Sequence, residues 1–171
     1  AVFSAQSGSR TLDIYWIDVE GGGATLIVTP SGESVLIDAG NPFERDPGRI
    51  HKLATEVAQL KKIDHLVITH FHTDHYGGAA ELAGLMPIGQ VHDKGIPETD
   101  PDGRPDKGRW TIASAPYRGF KAEGRNVIRA GTEIALKGTY RTIDSSTPAR
   151  ALPEVFLGLI PGWGGAWLLP N

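Results

Sequence analysis

Between Thr11 and Val19 apolar residues alternate with polar ones and are rich in Ile, Tyr, Trp and Val, which predicts a strand. Glu20-Gly21-Gly22-Gly23 turns the chain into a second strand, Ala24 to Thr29. Pro30-Ser31-Gly32 then leads to a third, Ser34 to Ile37. Strands joined this closely form an antiparallel meander. The period then changes. Ile50, Leu53, Ala54, Val57 and Leu60 recur at helical spacing, predicting an amphipathic helix of about four turns with Asp46 as its N-cap and Pro47 at its first position.

A short apolar strand is expected from His65 to Thr69, followed by a polar, His-rich loop. Gly77-Gly78 opens a second helix through Ala79, Leu82 and Leu85, and Ile88 to Val91 reads as a further strand. Ile96 to Arg109 is dominated by Pro, Gly and Asp and reads as loop. Trp110 to Glu123 reads as helix interrupted near Pro116, and Val127 to Ile143 as one or two short strands. This order predicts a mixed α/β fold, a sheet covered by helices on one side. Three segments follow: residues 1–9 as a signal-peptide remnant or disordered N-terminus, 10–144 as the domain proper, and 145–171 as an atypical apolar tail. In that tail only Arg150 and Glu154 are charged.

At 171 residues, 40% hydrophobic and 22% charged, the chain is expected to hold one soluble globular domain. A net charge of −3 gives no global reason to expect nucleic acid or an anionic membrane. One local exception is the basic group Arg104, Lys107, Arg109, Arg118, Lys121, Arg125 and Arg129, read first as a solvated surface and second as a face for an anionic substrate. The absence of cysteine removes disulfides, thiolate metal sites and a cysteine nucleophile together. No apolar run is long enough to span a membrane. The small-residue opening Ala1-Val2-Phe3-Ser4-Ala5 suggests export to a secreted or periplasmic location, with a cytoplasmic one left open.

The decisive run is His70-Phe71-His72-Thr73-Asp74-His75. A dication needs several convergent lone pairs, and imidazole nitrogens with a carboxylate suit zinc. A tight loop after a strand can turn His70, His72, Asp74 and His75 toward one point. Gly77 and Gly78 let the backbone pass close beneath it.

At these residues the chain resembles the metallo-β-lactamase superfamily, whose hallmark is H-x-H-x-D-H. Asp13 to Leu26 is similar to that family's opening hairpin, with its motif at Asp18 to Leu26, Ser34 to Gly40 to its L-I-D-x-G strand end, and Asp64 to Gly78 to its metal loop. The likeness is clear over residues 11 to 92 and absent beyond about 143. It implies an αββα sandwich with two zinc ions at one edge, of which this chain carries the N-terminal part. The first ion would be held by His70 and His72, and the second by Asp74 and His75. Asp74 would also orient a metal-activated water as the catalytic residue, while Asp38 would hold the ligand loop by hydrogen bonds.

The family completes its site with a third His, a bridging Asp and a last His, and no later residue here matches those positions. His92 is read as a loop residue, and His51 and His65 as structural or solvent-facing. The resemblance therefore implies a zinc-dependent hydrolase with an incomplete site. Its substrate would be a small molecule or a phosphodiester, the latter favoured by likeness to the hydrolase domain of DNA-uptake proteins. The alternative is a catalytically inactive metal-binding remnant or scaffold. Nucleic-acid binding and self-association are weaker expectations.

Overall fold

The computed structural model describes residues 11–101, 103 and 107–137. The expectations for residues 1–9 and for the 145–171 tail lie outside them. Six strands form one mixed sheet: β1 (Asp13–Trp16), β2 (Thr25–Val28), β3 (Ser34–Ile37), β4 (Ile63–Val67), β5 (Ile88–Asp93) and β6 (Gly124–Val127). They lie side by side in chain order. β1 to β3 pair antiparallel, as short turns require, and β3 to β6 pair parallel through longer connections.

Strand alternation sorts the sheet into two faces. One register row runs Tyr15, Leu26, Leu36, Leu66 and Val91. It packs beneath α1 (Arg45–Lys52), α3 (Ala79–Leu85) and α4 (Lys107–Gly119), whose Ile50, Ala79, Leu82, Trp110 and Tyr117 join the same core. The opposite face carries Ile27, Val35, Ile37 and Val67, closed by Ile128 with Ile134 and Leu136 from the segment after β6. That segment is tied at one end by the Ile128 amide to the Asp93 carbonyl (2.7 Å). At the other end the Lys137 amide donates to Glu33, and Ser31 Oγ donates to the Lys137 carbonyl (2.6 Å). No helix among the described residues is long and apolar enough to cross a membrane.

The meander, the third strand and the mixed α/β class agree with the expectations. Several local readings change. α1 starts at Arg45, so Asp46 is not its N-cap: the side chain is fully buried and accepts from the Asn41 amide and Arg45 Nε. The four-turn helix becomes two turns of α-helix and a π-helical turn, Leu53–Val57, which rotates Val57 out to 60% exposure. β4 lies two residues earlier than expected and β5 continues through Asp93, so His92 is a strand residue rather than a loop one. Pro116 lies within α4 without interrupting it, and the last described strand is Gly124–Val127.

Candidate metal centre

The parallel register brings the C-terminal ends of β3 and β4 together, and each delivers one part of the site. β3 is followed directly by Asp38, which is 2% exposed and sits in the left-handed region at φ 60. That conformation is rare outside glycine but tolerated by Asp, and it aims the carboxylate back at the neighbouring strand. There Asp38 Oδ1 accepts from the Thr69 amide (2.8 Å), and Oδ2 accepts from Thr69 Oγ1 (2.7 Å) and His75 Nδ1 (2.7 Å). One buried carboxylate thus ties the last residue before the His-rich run to its last histidine.

The run itself is not all loop. Thr73–Tyr76 forms a single helical turn, α2, entered through an extended His72. Extended backbone alternates its side chains, so Phe71 turns inward, 2% exposed, and the flanking imidazoles turn away from the core. Phe71 packs against Tyr76, Trp110 and Tyr117 at ring-centroid separations of 5.5, 6.5 and 5.4 Å, the last two edge-on. Tyr117 is anchored in turn by donating to Asp93 (2.8 Å). On the outer side, His70 lies 4.6 Å from His72 and 4.0 Å from His75 between ring centroids, and His75 Nε2 is 3.8 Å from Asp74 Oδ2.

The strand-turn glycines complete a cradle. A Cβ on Gly22 would overlap the Asp74 carbonyl oxygen, and one on Gly23 would press on His75 Nδ1 at 3.0 Å. The Gly23 amide donates to that same Asp74 oxygen at 3.2 Å. Gly77 and Gly78 pass equally close to Pro42 and Ala39, as their pairing in the sequence suggested.

The two shifted imidazoles of the bend differ in their electrostatics, and His70 is the one held neutral. Burial, with His75 and His72 close by, pushes the His70 pKa down, so its ring is uncharged near neutrality. Burial also acts to lower His75, but the Asp38 hydrogen bond and charge outweigh it and the pKa is raised. Nitrogen and carboxylate donors of this kind fit a borderline dication. Among the described residues no three His, Asp or Glu side chains close on one ion-sized point. The four donors are gathered on one bend, not converged.

Other candidate residues go elsewhere. His65 and His92 are buried on the opposite face of the sheet. His65 Nδ1 lies 3.1 Å from His92 Nε2, and its Nε2 lies 3.2 Å from Glu33 Oε1. This chain of polar groups was not foreseen, because only the β3-β4-β5 register sets Val35 beside His65 and Val67 beside His92. Two exposed residues of the basic segment are hydrogen-bonded within the chain. Arg125 stacks over Phe120 at 4.2 Å and donates to the Tyr117 carbonyl, and Arg118 donates to Ser114 Oγ.

Comparison with known proteins places these features in a wider setting. A family model described as the metallo-beta-lactamase superfamily matches residues 18–146. A UPF0173 metal-dependent hydrolase of Koribacter versatilis is 40% identical over 76 residues, covering 42% of this chain and 27% of the relative. One from Cupriavidus necator is 34% identical over 85 residues, covering 48% and 26% respectively. Another from Anaeromyxobacter is 37% identical over 65 residues, covering 37% and 21%. The chain spans about a quarter of the length of these curated relatives.

Proposed function

Because the chain belongs to the metallo-β-lactamase superfamily, we propose that it acts as a metal-dependent hydrolase, with zinc as the ion and a phosphodiester as the favoured substrate class. The observation that carries this reading is the gathering of His70, His72, Asp74 and His75 on one bend behind Asp38. His70 and His72 would hold one ion, and Asp74 and His75 a second. When bound, such ions lower the pKa of an attacking water and polarise the scissile group.

The chain's own residues have separate tasks. Asp38 accepts a hydrogen bond from His75 Nδ1, so in the neutral ring the lone pair lies on Nε2. Asp74, half-buried beside that nitrogen, is the carboxylate assigned to orient the nucleophile. The Phe71 packing keeps the bend from collapsing over its own donors. A phosphodiester is favoured by the family likeness of the opening hairpin, although Arg118 and Arg125 are already engaged internally.

The rival reading is a metal-binding scaffold without turnover, and one observation favours it. His92, the one histidine after the bend, pairs with His65 on the other face. Metal analysis of the purified chain, with an assay on a chromogenic phosphodiester, separates the two. Two zinc ions per chain and turnover abolished by Asp74→Asn support the hydrolase. One ion or none, with no turnover, supports the scaffold and overturns the enzyme.

A further inference from the structure

The geometry points to Thr69 as a positioning residue: its hydroxyl relays Asp38 to His70, so one buried carboxylate selects the tautomer of two imidazoles at once. This inference rests on the reading of the bend as a metal loop and deepens it.

The hydroxyl has one proton, and Asp38 and His70 both lie within hydrogen-bond reach of it. Asp38 Oδ2, 2.7 Å away, can only accept, so Thr69 Oγ1 donates to it. Oγ1 must then act as acceptor toward His70 Nδ1, 2.9 Å away, and that nitrogen must carry the ring proton. A neutral imidazole has one proton, so His70 Nε2 is left with its lone pair. On the other side of the same oxygen, His75 Nδ1 donates to Asp38 Oδ2 at 2.7 Å and His75 Nε2 is released in the same way. The pattern is a single line of donors running inward, from His70 through Thr69 to Asp38 and from His75 to Asp38.

Burial makes the line hard to rearrange. Thr69 is 1% exposed and Asp38 2% exposed, so no bulk water competes for the hydroxyl proton. The Thr69 amide also donates to Asp38 Oδ1 at 2.8 Å, which fixes the carboxylate plane relative to the hydroxyl. The two rings whose tautomers are set this way are the closest imidazole pair on the bend, 4.0 Å between centroids. Without the hydroxyl, His70 Nδ1 loses its acceptor and the ring is free to carry its proton on Nε2, where it would block a metal.

Serine keeps the hydroxyl and valine keeps only the shape, so Thr69→Ser and Thr69→Val test the relay. In metal-free protein labelled at the imidazole nitrogens, long-range nitrogen–proton NMR reads the tautomer of each ring directly. The expected result is an Nδ1–H tautomer for His70 in the natural chain and in Thr69→Ser, with a shift toward Nε2–H in Thr69→Val. Zinc affinity, measured by competition with a chromophoric chelator on folded protein, should fall about tenfold or more in Thr69→Val and recover in Thr69→Ser. A purely structural Thr69 would lower the melting temperature of the valine variant without moving the His70 spectrum. An Nε2–H tautomer for His70 in the natural chain, or an Nδ1–H tautomer persisting in Thr69→Val, overturns the relay. Failure of the natural chain to bind zinc overturns the hydrolase reading instead, while the metal-free spectrum still decides the relay. If Thr69→Val does not fold, the spectrum of the natural chain alone can refute the proposal, and Asp38→Asn replaces valine as the second arm.

Discussion

Asp38 Oδ2 lies 2.7 Å from His75 Nδ1, across a separation of 37 residues in the chain. The bond joins the end of β3 to the helical turn after β4, and it is the point where the fold and the chemistry of the bend meet. Asp38→Asn keeps the size and tolerates the same left-handed backbone, yet removes the charge that holds the His75 proton. Zinc affinity is expected to fall by about 10–100-fold, read by chelator competition. Unchanged affinity would remove Asp38 from the site.

His72 is the most exposed of the four donors, and its substitution should separate metal binding from stability. In the natural chain, zinc at 100 times its Kd should stabilise the fold by about 2.7 kcal/mol. The melting temperature should rise by several degrees and return to its starting value with a chelator. His72→Ala should lose most of that rise, while its metal-free folding free energy stays within about 0.5 kcal/mol of the natural chain's. A full zinc-induced rise in the variant would show that the ion binds elsewhere.

Two glycines should respond in opposite ways to alanine. Gly22 is crowded by the Asp74 carbonyl, so Gly22→Ala must push β2's leading turn off the bend, at about 1–3 kcal/mol. Gly48 lies inside α1 with nothing within 4 Å of a new Cβ, so Gly48→Ala should stabilise by about 0.5–1 kcal/mol. Urea denaturation of the two variants in chelator measures both signs, and a neutral Gly22→Ala would contradict the cradle.

Acid sensitivity is expected from Asp64. Burial pushes its carboxyl up, but the Ser34 amide (3.0 Å), Lys62 (3.1 Å) and the Ser34 hydroxyl (2.9 Å) outweigh it and hold the pKa below its ordinary 3.8. A lowered folded pKa means the unfolded chain takes up the proton first as pH falls. The contribution is therefore complete above about pH 5 and is lost as pH drops below 3.8 through the folded value. Asp64→Asn should cost about 1–2 kcal/mol at pH 7 and show a smaller further loss between pH 4 and 2.5 than the natural chain. Parallel acid curves for the two proteins, taken in chelator, would contradict this.

Phe71 offers a packing test of the bend. It is enclosed by Tyr76, Trp110 and Tyr117, so Phe71→Ala should cost about 3–5 kcal/mol. Trp110→Phe should cost far less, because it keeps an aromatic edge toward Phe71. Chelator-treated melting curves rank the two, and a Phe71→Ala cost no greater than that of Trp110→Phe would place the aromatic cluster outside the support of the bend.

By itself the sequence determined the parts whose cause is local. Alternation and tight turns gave the three-stranded meander, and the His-x-His-x-Asp-His spacing marked the bend, because four donors within six residues stay near one another in any compact fold. Tertiary structure decided the rest. Whether Asp46 capped a helix or was buried beside Asn41 depended on how the loop after β3 packed. Whether His92 joined the donors or faced His65 depended on the register of β5 against β4. The partners of Asp38 come from Thr69 and His75, more than thirty residues away, and a hydrogen bond over that distance leaves no periodic trace in the chain. Composition and spacing select which groups can meet; only the pairing of distant strands fixes which of them do.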